Sequence, residues 1–218
     1  MKARTGFIAL VVALLLSPVL VQAQEGHWIV RGRLLSVSPN DSSTAIAGTE
    51  GTKVTVGNDV IPEVDVTYMF NNKWGLEVIA GTSKHELATA GGALGGADAG
   101  SVRVLPPTLT LQFHSDSSGP LDVYGGLGVN YTLFYNYHLS DDLAGLGVRK
   151  LDFSHSFGLS GQLGMDIALK GAWVFNLDVK YIKMSTDVDL VLGNGQVLDT
   201  VTVDVNPWVF GVGVGYRF

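Results

Sequence analysis

The chain contains no cysteine, so disulfides cannot hold it together. Beyond its first two dozen residues it also lacks any window of roughly 18 or more consecutive apolar residues, which excludes a membrane-spanning helix there. Charge is sparse, at 16%, and leans negative, with 14 Lys and Arg against 20 Asp and Glu. That balance argues against nucleic acid as a partner. The 28 glycines follow no collagen period. Mean hydropathy is nevertheless positive, which is unusual for a soluble domain with no long apolar run. Apolar surface spread over many strands would account for it.

The start of the chain reads as an address. Lys2 and Arg4 precede an uncharged run from Gly6 to Val21, and the small-residue pattern Val21, Gln22, Ala23 follows. Residues 1–23 are therefore expected to be a cleaved secretory signal, leaving residues 24–218 as a single domain.

What remains alternates at period two. From Leu151 to Leu169 the odd positions are mostly apolar, while the even ones include Asp152, Ser154, Ser156, Gln162 and Asp166, the pattern of a strand with one greasy face. Eight such strands are expected, at 27–38, 59–70, 73–87, 101–114, 121–137, 151–169, 172–191 and 197–218. Short links join some of them, and long connections at 39–58, 88–100 and 138–150 join others. Several runs reach the roughly 9 to 11 residues a tilted strand needs to cross a bilayer. An even strand count with alternating short and long connections predicts an all-β fold, an eight-stranded antiparallel transmembrane β-barrel with both termini periplasmic. Closure matters because lipid offers no hydrogen bonds to a free sheet edge. A secreted β-sandwich or lipocalin-like barrel also alternates. There the greasy face points inward, and the other face would not carry Arg31, Arg33, Asp65, Glu77, Asp178 and Lys180, which here are expected to line a polar lower lumen.

Aromatic residues sharpen the orientation. Trp28, Tyr68, Phe70, Trp74, Phe113, Trp173, Phe175, Tyr216 and Phe218 fall on the expected lipid face near strand ends, where an interfacial girdle belongs. The surroundings so implied are a lipid bilayer and lipopolysaccharide. A chain that stops on Phe after VFGVGVGYR also looks like the signal read by the outer-membrane insertion machinery.

Taken in order, WIVRGRLLSVSP, VTYMF with NNKWGLEV, LPPTLTLQF, VYGGLGVNYTLF, GQLGMDIAL with WVFNLDVKY, and NPWVFGVGVGYRF resemble the OmpW family of outer membrane proteins over essentially the whole mature length. The resemblance implies an eight-stranded barrel with a narrow apolar interior, in the outer membrane of a Gram-negative bacterium, passing small hydrophobic molecules.

Parity supports an apolar interior independently. Above Tyr181, Lys183, Ser185, Asp187 and Asp189 point outward while Ile182, Met184, Val188 and Leu190 point in. Val201, Val203 and Val205 do the same on the last strand, and Ile79 joins them on the third. These eight are the expected apolar lumen lining. A greasy upper lumen suits capture of a hydrophobic solute, since an ion buried against Val and Ile is costly; inert packing of a closed core also produces such a pattern. A bulge at Asn206 and Pro207 would shift the parity of the last strand. Pro106 and Pro107 lack amide hydrogens in a strand with partners on both sides, predicting a ladder break that opens a lateral window, or a strand end or bulge near the rim.

Two other classes compete. A lipid-modifying barrel enzyme would need a serine and a base; His155 lies between Ser154 and Ser156, but parity turns ring and hydroxyls to opposite faces. The remaining histidines, His27, His85, His114 and His138, have no zinc spacing, and no phosphate-loop motif is present, so no cofactor and no catalytic residue is expected. A structural or adhesive barrel acting through its loops is the other alternative.

Overall fold

The computed structural model describes residues 27–46, 51–92, 95–145 and 147–218; the signal expected over 1–23 lies outside them. In chain order the described residues form β1 (His27–Ser38), β2 (Ser42–Ser43), β3 (Lys53–Val56), β4 (Asp59–Met69), β5 (Trp74–Gly81), β6 (Ser83–Ala90), β7 (Asp98–Leu105), β8 (Thr108–His114), β9 (Leu121–Leu139), the single-turn helix α1 (Asp141–Gly145), β10 (Val148–Phe153), β11 (Ser156–Ala168), β12 (Trp173–Ile182), β13 (Ser185–Leu192), β14 (Val197–Asp204) and β15 (Trp208–Arg217).

Eight of these close into a cylinder. The order runs β11, β12, β15, β1, β4, β5, β8, β9, and β9 pairs back onto β11 from Leu121–Ile167 to Thr132–Ser156. All pairings are antiparallel, and β1 and β15 bring the chain ends together through Ile29–Arg217. With every edge paired, the cylinder satisfies its backbone without water, as a bilayer demands.

Above the cylinder the wall continues as two separate sheets. One extends upper β9 with β7, β6 and β3; the other runs β10, β13, β14, β2. Five of the eight expected strands are accordingly broken in two, at Thr82, at Pro106–Pro107, at Ser154–His155, at Lys183–Met184 and at Val205–Pro207. The expected long connection at 39–58 contributes β2 and β3, and that at 138–150 contributes α1. At Asn206 the backbone enters the left-handed region (φ 37°), with Asn206 Oδ1 accepting the Met184 amide at 3.1 Å. Parity nonetheless survives, because Val205, Pro207 and Val209 are all buried while Trp208 and Phe210 are exposed. Parity fails instead at Ser154–His155. Leu151 and Phe153, expected on the greasy outer face, turn inward, whereas Phe157 and Leu159 remain outside. The chain leaves one sheet and enters another there, and the one-residue slip exchanges the faces.

The outer face of the cylinder is apolar, with Leu127, Leu159, Leu163 and Phe210 all exposed. Eight of the nine rings named for the girdle, all but Phe175, pack against one another at the end where the chain termini lie. Trp28 packs on Tyr68, Tyr68 on Phe70, Trp74 on Phe113, Trp173 on Tyr216 and Tyr216 on Phe218, with centroids 4.8–5.5 Å apart. A second set, Tyr131 with His155 and Tyr181 with Trp208, marks the opposite boundary. Leu127, 79% exposed, lies midway between Val123 and Tyr131 along β9. Replacing it with Arg should cost about 2–4 kcal/mol in a urea titration of the lipid-embedded barrel, whereas Val197→Arg, on the upper hairpin, should cost about 0–1 kcal/mol. Equal costs would mean that the apolar band does not face acyl chains.

Glycine explains how the terminal strand fits. A Cβ on Gly213 would stand 2.2 Å from the Gly32 carbonyl oxygen and 2.8 Å from Arg33 Cγ; one on Gly215 would stand 2.8 Å from Arg31 Cγ. The bare inner face of GVGVGY is the space taken by two arginines from the neighbouring strand.

Candidate functional site

The lumen has two storeys. In the lower one, β1 points Arg31 and Arg33 inward at period two, and both are buried. Arg31 holds Asp166 with two nitrogens, Nε to Oδ1 at 3.2 Å and Nη2 to Oδ2 at 2.7 Å, and reaches Asp65 Oδ1 at 3.0 Å and Thr67 Oγ1 at 2.9 Å. Its guanidinium carbon also lies 5.2 Å from the Tyr124 ring centroid. Arg33 contacts Glu63 at 2.8 Å, Glu77 at 3.0 Å and Asp178 at 3.3 Å, and pairs with Asp65. Lys180 is clasped between Glu63, at 3.3 Å, and Asp178.

The six residues expected to form a polar lower lumen are thus brought together, and further partners join them. Glu63 and Asp166 supply carboxylates. Gln162 donates to Asp178 at 2.7 Å, Asn176 to Asp166 at 2.7 Å, and Gln112 to Gln162 at 3.2 Å. His114 Nδ1 lies 2.6 Å from Asp122 Oδ2. This network draws side chains from β1, β4, β5, β8, β11 and β12. Charges taken out of water are tolerable only when paired and hydrogen-bonded this densely.

Above it the character changes. An apolar cavity, open at its mouth, is lined by all eight residues expected there: Ile79, Ile182, Met184, Val188, Leu190, Val201, Val203 and Val205. Leu35, Val37, Ile61, Leu87, Val102, Val104 and Leu151 complete much of the wall, with Glu63 and Lys180 at the floor. A second hollow at the terminal end, between His27, Met69, Arg217 and Phe218, shares no lining residue with the first. The charged network stands between them.

Pro106 and Pro107 interrupt the wall on one side only. Towards β9 the register is continuous from Thr108–Asn130 to Leu105–Leu133, and the Tyr131 amide donates to the Pro107 carbonyl at 3.1 Å. Towards the third strand, pairing stops at Ile79–Thr108 and resumes at Ser83–Val104. Gly81 faces Pro106 across the unpaired stretch, and both line the cavity. The Pro106 carbonyl accepts the Thr108 hydroxyl at 3.0 Å instead.

A second seam separates upper β9 from β10, which share no ladder above Thr132–Ser156. Phe134 stacks on Phe153 across it, with centroids 5.9 Å apart.

Serine and histidine near 155 form no catalytic pair. The His155 ring is tilted against Tyr131 on the outside, while Ser154 and Ser156 hydroxyls accept the amides of Asp187 and Ser185. Among the described residues no group of three or more His, Asp or Glu is placed to hold a metal ion.

Comparison with known proteins places this geometry. The model of the OmpW family matches residues 24–218. Outer membrane protein W of Vibrio cholerae is 33% identical over 97% of each chain. The crystal structure of the outer membrane protein OprG from Pseudomonas aeruginosa, 35% identical, superposes with a TM-score of 0.80, covering 88% of this chain and 96% of that one. A more distant relative, 24% identical over 90% of each chain, is the dibenzothiophene metabolism operon protein PahQ of Pseudomonas aeruginosa.

Proposed function

The chain belongs to the OmpW family of Gram-negative outer-membrane β-barrels, and on that footing we propose that it carries small hydrophobic molecules into the outer membrane and releases them sideways. In this reading both termini are periplasmic and the upper sheets form a cup on the outer surface. A solute enters the cup and settles in the apolar cavity. It cannot continue downward, because passage would require separating the ion pairs of Arg31, Arg33 and Lys180. It leaves between Gly81 and Pro106, where the wall has no ladder bond to break. Dibenzothiophene, in the name of the distant relative, is an apolar polycycle of the kind such a cavity accepts.

One observation carries the proposal: a cavity walled by Val, Ile, Leu and Met sits directly on a floor of buried, paired charges. The same stacking disfavours ions and large polar solutes, which lose hydration and gain no partner.

Val188→Trp tests it by filling the cavity from β13. Cells carrying the variant should take up a radiolabelled alkane several-fold more slowly than cells with the unmodified barrel, at equal amounts of folded protein. Uptake no faster with the unmodified barrel than without any barrel would overturn the transport reading and favour a structural or adhesive role for the loops.

A further inference from the structure

The cavity is apolar but not uniformly so, and its polar groups share one property. Ser83 and His85 are neighbours on the inner face of β6, both buried. His85 Nδ1 lies 2.8 Å from the Gly57 carbonyl oxygen and Nε2 lies 2.9 Å from Ser83 Oγ. A carbonyl only accepts, so Nδ1 carries a proton. The ring lies in the cavity wall with no carboxylate bonded to either nitrogen, and in the tautomer with the proton on Nδ1 the other nitrogen accepts. Nε2 is then a lone pair, and the Ser83 hydroxyl donates to it.

The other hydroxyls are committed in the same sense. Thr108 Oγ1 donates to the Pro106 carbonyl at 3.0 Å, Thr89 Oγ1 to the Ala97 carbonyl at 3.1 Å, and Thr186 Oγ1 to the Ser154 carbonyl at 2.8 Å. At the floor Glu63 is a carboxylate, and Lys180 is held between Glu63 and Asp178. Away from the Lys180 ammonium at the floor, a guest therefore meets oxygen lone pairs whose protons already point into the wall.

We propose that the cavity selects apolar molecules carrying one neutral hydrogen-bond donor, the class of primary alcohols and phenols, over ethers and carboxylates of the same size. Ser83 is the acceptor that reads the donor, and His85 orients it. An ether offers only lone pairs to lone pairs. A carboxylate offers the same and adds a negative charge above a network in which Glu63, Asp65, Glu77, Asp166 and Asp178 already outnumber Arg31, Arg33 and Lys180. The inference rests on the transport reading, since it assigns a selectivity to that same cavity.

Two isomers separate the possibilities: 1-nonanol donates a hydrogen bond, and methyl octyl ether does not. Binding is read in lipid nanodiscs from the methyl NMR signals of Ile79, Ile182 and Met184, with guest concentrations corrected for partition into the lipid. Nonanol should bind about fivefold tighter than the ether, the weight of one neutral hydrogen bond, and nonanoate should bind more weakly than nonanol. His85→Leu should level or reverse the preference, because it frees the Ser83 proton to donate to the ether. Ser83→Ala should retain it, because His85 Nε2 is then open to the guest's donor. Equal binding of the two isomers by the unmodified barrel would overturn the selectivity while leaving transport standing. If neither isomer moved any of the three methyl signals, the cavity would not be a binding site and both readings would fall.

Discussion

Arg31→Met is expected to destabilise the barrel by about 3–5 kcal/mol, the cost of removing one partner from a buried ionic network. Asp65 and Asp166 would each lose their Arg31 contacts, at 3.0 and 2.7 Å, with neither residue exposed to water. Methionine fills part of the volume but returns no hydrogen bond. Equilibrium unfolding in urea, with the protein in lipid vesicles, measures the loss. The companion Arg31→Met/Asp166→Asn/Asp65→Asn should recover much of it, since neutral amides no longer strand charge. A loss below about 1 kcal/mol, the worth of an exposed ion pair, would mean that water penetrates the lower lumen.

The second large effect concerns the one-sided gap. Pro106→Val supplies the missing amide and allows the rung at Gly81 to close. Two restored ladder bonds at about 1 kcal/mol each would reduce the open population roughly 30-fold. Alkane uptake should fall accordingly, with no loss of folded barrel. Pro107→Val should do far less, because Pro107 faces β9, where the Tyr131 amide already binds its carbonyl. If Pro106→Val left uptake unchanged, sideways release at this rung would be wrong, although the cavity would still admit solute. If the two single substitutions acted equally, the exit would not be specific to the Gly81 side.

Much of this architecture was legible in the residues because lipid makes the period-two code severe. A charged residue on the lipid face of a spanning strand costs several kcal/mol, so alternation in β12 and β15 could be followed from end to end, and from β15 back into β14 across the kink at Asn206. The lower lumen followed from the same count. Glu63 lies one step along its strand from Asp65 with the same inward parity, and Asp166 already stood among the even, polar positions of its own strand. The His114–Asp122 contact was not legible that way. It depends on β8 and β9 meeting in the register His114–Tyr124, which no single strand records.

Alternation misled where its physical cause ends. At Ser154–His155 the chain has left the hydrocarbon, and the penalty that enforces parity has gone; Leu151 and Phe153 then follow the cup's interior. The breaks at Thr82 and at Lys183–Met184 carry no proline or glycine pair to mark them. The role of the paired prolines was half visible: the sequence shows two missing donors, whereas only the register shows that Pro106 faces the third strand and Pro107 faces the fifth.

The ionic floor has a consequence for the cell that makes the protein. On the transport reading proposed above, each copy inserted would add a route for greasy compounds without adding a water-filled hole, because Arg31 and Asp166 pair, buried, below the cavity. Abundance would then be uncoupled from leakiness: a bacterium could raise the number of these barrels manyfold without becoming more permeable to salts, sugars or hydrophilic antibiotics.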